Sequence, residues 1–185
     1  MRGVKRQNVY LRLYAASILA LVLGACSNAA TQQNSAPAQN MFNGLPIDGI
    51  RCDTMEGAAQ HIHSQLQMFD HGRVVKVPAQ IGIPKIGTCL YWLHTHTADG
   101  IIHVESPVKH RTFTLGEFFD IWGMDLNRSQ ADGLHAPPGQ TLQIWVNGKP
   151  YNGDPNHIIL RDREEIIMQV GPPYGKPAKY DWSQL

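Results

Sequence analysis

Apolar and polar residues alternate from His61 to Phe69, and a period of two marks a half-buried strand. Ile62, Leu66 and Met68 fall on one face, with His61, His63, Gln65 and Gln67 on the other. Asp70-His71-Gly72-Arg73 is a hairpin turn in which glycine supplies the positive φ, and Val74–Val77 is the return. Pro78 to Gly87 is punctuated by Gly82, Pro84 and Gly87 and predicts a loop. Cys89 to Ser106 then reads as a strand, a turn at Ala98-Asp99-Gly100 and a second strand that Pro107 ends.

The period changes after Thr114. Leu115, Phe118, Phe119 and Trp122 form one helical stripe, Thr114 and Glu117 have the spacing of a capping box, and Gly123 can close the helix. Asn127 to Gln140 is polar and predicts a long loop. Thr141–Val146 and Lys149–Tyr151 flank Asn147-Gly148, a type I′ hairpin signal. Short strands are expected at His157–Leu160 and Glu165–Val170, with a surface-wrapping tail from Gly171. The predicted class is α+β, mainly antiparallel hairpins with one packed helix. Leu66–Arg73 also aligns without a gap on Leu142–Lys149, and Cys89–His94 then falls on Glu165–Val170. Either a strand–hairpin–strand unit is duplicated, or the two hairpins merely share turn chemistry.

The N-terminus does not fit that domain. Arg2, Lys5, Arg6 and Arg12 precede an apolar run from Tyr14 to Gly24, as in a signal peptide over residues 1–25. Leu23-Gly24-Ala25-Cys26 resembles the bacterial lipobox, which implies a lipidated Cys26 and a membrane contact through that lipid. Ser27 stands where inner-membrane lipoproteins usually carry Asp, so the resemblance favours the outer membrane of a Gram-negative cell envelope. Residues 26–47, rich in Ser, Ala, Asn and Gln, suit a flexible tether. The globular domain is expected over 48–171, with 172–185 as tail.

Formal net charge is +1, and the mature part has no basic block, so nucleic-acid binding has no electrostatic support. With Cys26 lipidated, Cys52 and Cys89 remain, most simply as a disulfide in an exported domain. The alternative is a thiolate ligand, because Cys89 lies five residues before His94.

Of nine histidines, five gather in the predicted strands: His61 and His63, His94 and His96, and His103. Residues two apart on a strand project from one face. Two such strands side by side, about 4.8 Å apart, bring four imidazoles around a common point. Zinc or copper suits that donor set, with Glu105 as a further ligand or as an acceptor that orients a ring. His71, His110, His135 and His157 fall in turns or loops and are read as solvated. Glu105 lies too far after His96 for a cupin motif, and no methionine follows His94 until Met124, too late for a blue-copper site. No Gly-x-Ser-x-Gly elbow is present.

The phrases HIH, LYWLHTH, DGIIHVES and FTLGEFFDIWG occur in that order. Together they resemble a family of uncharacterised bacterial secreted or membrane-anchored proteins, over about Gly57 to Gly171. The resemblance implies that the five histidines form one set and implies no reaction. The expected function is an envelope lipoprotein that binds copper or zinc as carrier, buffer or sensor. Two rivals stand beside it. One is a metal-dependent oxygenase or hydrolase with an open coordination position and Glu105 or Asp99 as base. The other is a structural or interaction lipoprotein without metal.

Overall fold

A computed structural model describes residues 44–85 and 88–185, all of them within one compact unit, Ser35–Leu185. The expected signal peptide, the lipidation site Cys26 and most of the tether lie outside the described residues. The strands are β1 (Cys52–Asp53), β2 (Gln60–Asp70), β3 (Arg73–Val75), β4 (Leu90–Tyr91), β5 (Leu93–His94) and β6 (Ile101–Ser106). Helix α1 (Leu115–Trp122) follows, then β7 (Leu126–Asn127), β8 (Gln130–Ala131), β9 (Leu134–His135), β10 (Gln143–Val146), β11 (Lys149–Pro150) and β12 (Glu164–Val170). The class is α+β, strand-rich with one α-helix among the described residues.

Seven strands form the main sheet, in the order β11-β10-β12-β2-β6-β5, with β3 also on β2. β2 is long enough to divide one edge between two partners. Gln60–Gln65 pair with β6, while Met68–Asp70 pair with β3 across the His71-Gly72 turn. Its other edge takes β12 in parallel, Ser64–Asp70 against Glu164–Val170, so the sheet is mixed rather than wholly antiparallel.

Directly paired residues share a face, and one parity of the strands makes the core. Leu66, Met68, Ile102, Val104, Ile166 and Met168 are buried there with Phe118, Phe119 and Trp122 of α1. The helix has the expected ends: Thr114 accepts from the Glu117 N–H, Glu117 accepts from the Thr114 N–H, and Gly123 adopts φ 75°. On the opposite face the tail packs over the far end of β2, with Ala178 bonded to Gln67 through N–H and carbonyl, and Gly175 N–H donating to Gln169. The near end of that face carries the histidines.

Three expectations need correction. Asn127–Gln140 is largely a three-stranded sheet, β7-β8-β9, anchored by buried Leu126, Ala131 and Leu134. The strand expected at His157–Leu160 begins as a 3-10 turn, Pro155–His157, capped by Asp154, and only Ile159 bridges to Thr114. Proline's fixed φ and missing N–H suit the first turn of a helix, not a ladder. The proposed duplication holds for the two hairpins alone. β12 pairs with β10, whereas β5 pairs with β6 and not with β2, so the third strands differ in partner.

Candidate metal centre

The register of the sheet sets the histidines in rows. His63 lies opposite His103, which on its other side lies opposite His94, across β2, β6 and β5. In the next row His61 lies opposite Glu105. The four paired groups and Glu105 therefore share one face, and His96 rejoins them two residues beyond His94, its ring centroid 4.5 Å from that of His103. The two His-x-His pairs were expected on neighbouring strands. β6 stands between them instead, because the Ala98–Gly100 turn keeps β5 on the far edge of β6 while β2 takes the near edge. His103 and Glu105 on this middle strand are the bridge.

The donor atoms are close. Nε2 of His61 and His63 are 3.3 Å apart, and those of His94 and His96 are 3.2 Å apart. Two nitrogens at 2.0–2.1 Å from one tetrahedral ion are separated by about 3.3 Å. Glu105 Oε1 lies 3.3 Å from His61 Nε2 and 3.3 Å from His103 Nδ1, again the length of a ligand–ligand edge. His61, His63, His103 and Glu105 form one group that could hold a metal ion, and His94, His96, His103 and Glu105 form another, each with its donors within 4.8 Å.

The floor is buried and the rim is open. Glu105 is 3% exposed and His94 fully buried, whereas the side chains of His61 and His96 are 53% and 44% exposed. His94 Nδ1 lies 2.8 Å from the Tyr91 carbonyl. A carbonyl only accepts, so Nδ1 carries the proton and the Nε2 lone pair faces the cluster, the arrangement common to metal-ligating histidines. Burial, with His96 nearby, lowers the His94 pKa to about 4, although the Tyr91 bond opposes this. Burial and the surrounding imidazoles lower His103 to about 3. His63 is also lowered, by burial and then His61. These rings are neutral at pH 7 and able to ligate.

Glu105 is the anomaly. Its pKa is raised, first by burial and then by the carboxylate of Glu56. Its Oε2 is buried without a hydrogen-bond partner, a costly state for a carboxylate oxygen.

Sequence reasoning missed Glu56, whose Oε1 lies 4.0 Å from His96 Nε2. The neighbouring Gly57 was a local signal, but nothing in the sequence says what it approaches. Cys52 and Cys89 form a disulfide with their Cα atoms 5.2 Å apart, which closes the thiolate reading. Asp99 lies outside both groups, accepting from the Ile101 N–H. His71 and His157 face Asp70 and Asp154, also away from the cluster.

Fold and site together define an α+β domain with clustered histidine and glutamate side chains that could hold a metal. No family model matches the chain, and neither a curated protein nor a solved structure matches it.

Proposed function

We propose that this chain is a bacterial envelope lipoprotein that binds a transition metal, zinc or copper, as a carrier, buffer or sensor. The observation that carries the metal reading is the pair of Nε2–Nε2 separations of 3.2 and 3.3 Å around a buried carboxylate whose Oε2 lacks a donor. Five imidazoles and a carboxylate are borderline to hard donors, and the Cys52 and Cys89 sulfurs are tied in a disulfide. That set favours Zn²⁺ or Cu²⁺ over the thiophilic Cu⁺. The rings share one face of the sheet, which speaks against a purely structural role. An enzyme reading draws on the open rim at His61 and His96, but five converging imidazoles suit tight binding better than a vacant coordination position.

The envelope and lipid parts rest on the lipobox-like Leu23–Cys26 and on the four phrases resembling secreted bacterial proteins. Elemental analysis of the full-length chain, purified without a histidine tag, is expected to find zinc or copper. A chain that carries none and takes up none after incubation with either ion refutes metal binding. Cys26→Ser is expected to move the chain out of the membrane fraction; unchanged partition refutes the anchor.

A further inference from the structure

The donor set is larger than one ion can use. A tetrahedral ion takes four ligands, and the cluster offers five imidazoles together with Glu105 and Glu56. An octahedral ion would accept more, but its adjacent nitrogens would stand about 2.9 Å apart at bond lengths near 2.05 Å. The observed edges of 3.2 and 3.3 Å fit the tetrahedral spacing better.

Glu105 divides the cluster. Oε1 faces His61 and His103, at 3.3 Å from each. Oε2 points the other way, 3.9 Å from His94 Nε2, and has no hydrogen-bond partner. The Glu56 carboxylate interacts with that of Glu105, and its Oε1 lies 4.0 Å from His96 Nε2. Two edges of tetrahedral length, one on each side of Glu105, point to two cations.

We infer that the cluster is a two-ion centre in which the Glu105 carboxylate bridges the metals. His61, His63, His103 and Oε1 hold the first ion. His94, His96 and Oε2 hold the second, with Glu56 as its fourth ligand. The first site is closed by protein donors. The second depends on Glu56, half-exposed at the rim, for its fourth ligand. This inference rests on the metal-binding reading above and adds the number of ions and their division among the ligands.

The test is stoichiometry. The full-length chain in detergent is stripped with chelator, equilibrated with Zn²⁺ or with Cu²⁺, desalted and assayed for metal and protein. Wild type is expected to hold two ions, and His61→Ala with His63→Ala one, with an unchanged circular dichroism spectrum showing that the variant folds. With Cu²⁺, the bridged pair is expected to couple magnetically and lose paramagnetic resonance intensity, whereas the variant shows the full signal of one isolated ion. One ion in wild type overturns the two-ion centre and leaves metal binding standing. No ion in wild type overturns metal binding itself. Two ions in wild type with none, or still two, in the folded variant overturn the division of ligands.

Discussion

Gly57 lies so close to Pro107 that a Cβ on Gly57 would come 2.3 Å from the Pro107 nitrogen and 2.3 Å from the Ser106 carbonyl carbon. The constraint is space against backbone, which cannot rotate away as a side chain can. This approach fixes the residue after Glu56 against the end of β6, two residues from Glu105. Gly57→Ala is therefore expected to destabilise the fold by about 1–3 kcal/mol, the usual cost of overpacking. Urea unfolding in chelator measures it, and an unchanged midpoint contradicts the close approach.

The disulfide is a second support for the cluster. It joins β1 to the residue before β4, and β4 runs through Trp92 into β5 and His94. Closing a loop across a sequence separation of 37 restrains the unfolded chain by about 4 kcal/mol in the chain-entropy account. Replacing both cysteines with alanine should lower stability by about that amount under oxidising conditions. Adding reductant should lower wild type towards the variant and leave the variant unchanged, as followed by thermal melting.

Stability of the metal-free chain should depend on pH through two imidazoles, buried His94 and partly buried His103. Unfolded, both protonate near 6.5, as a free histidine does. Folded, His94 protonates only near about 4 and His103 near about 3. Between these values the unfolded state binds more protons, so stability rises with pH. Their contribution is fully present above about 6.5 and is lost as pH falls towards 4 for His94 and towards 3 for His103, at up to about 1.4 kcal/mol per pH unit for each ring. Urea midpoints in chelator from pH 7 to 4.5 give the slope. His103→Gln should flatten it relative to wild type; parallel curves would show that the ring is not held neutral by the fold.

Local chemistry was legible in the chain, and long-range order was not. Thr114, Glu117 and Gly123 announce α1 because a capping box and a left-handed C-cap act within one or two turns. Asn147-Gly148 announces its hairpin for the same reason, both residues taking positive φ. The alternation from His61 to Phe69 sorted side chains by face correctly, since face depends only on parity. Which strands adjoin depends on pairing between distant segments. Hence the parallel partnership of β2 and β12, and the place of β6 between the histidine pairs, left no mark in the spacing. Strands of two residues such as β7, β8 and β9 are too short to show a period. Glu56 comes within 4.0 Å of His96 across forty residues of sequence, beside the packing of Gly57 on Pro107.

Glu105 should show function and stability pulling in opposite directions. Its folded pKa lies above the ordinary carboxylate value because burial and Glu56 disfavour the charge. For an acid with that shift, the folded state is the better proton binder, so ionisation weakens the metal-free fold as pH rises above about 4.5. Once ionised, the carboxylate is then a liability that a cation relieves, because Oε2 has no donor. Glu105→Gln keeps the shape, removes the charge and supplies two N–H donors to the acceptors around it. In chelator the variant should match or exceed wild type, by about 1 kcal/mol where the amide finds partners. Zinc should reverse the order, since the variant loses an anionic ligand while wild type gains stability in proportion to the logarithm of ion concentration over Kd. Thermal melts of both proteins, with chelator and with excess zinc, make the comparison. A variant less stable than wild type in chelator, or equally stabilised by zinc, would mean that Glu105 serves the fold and not the metal.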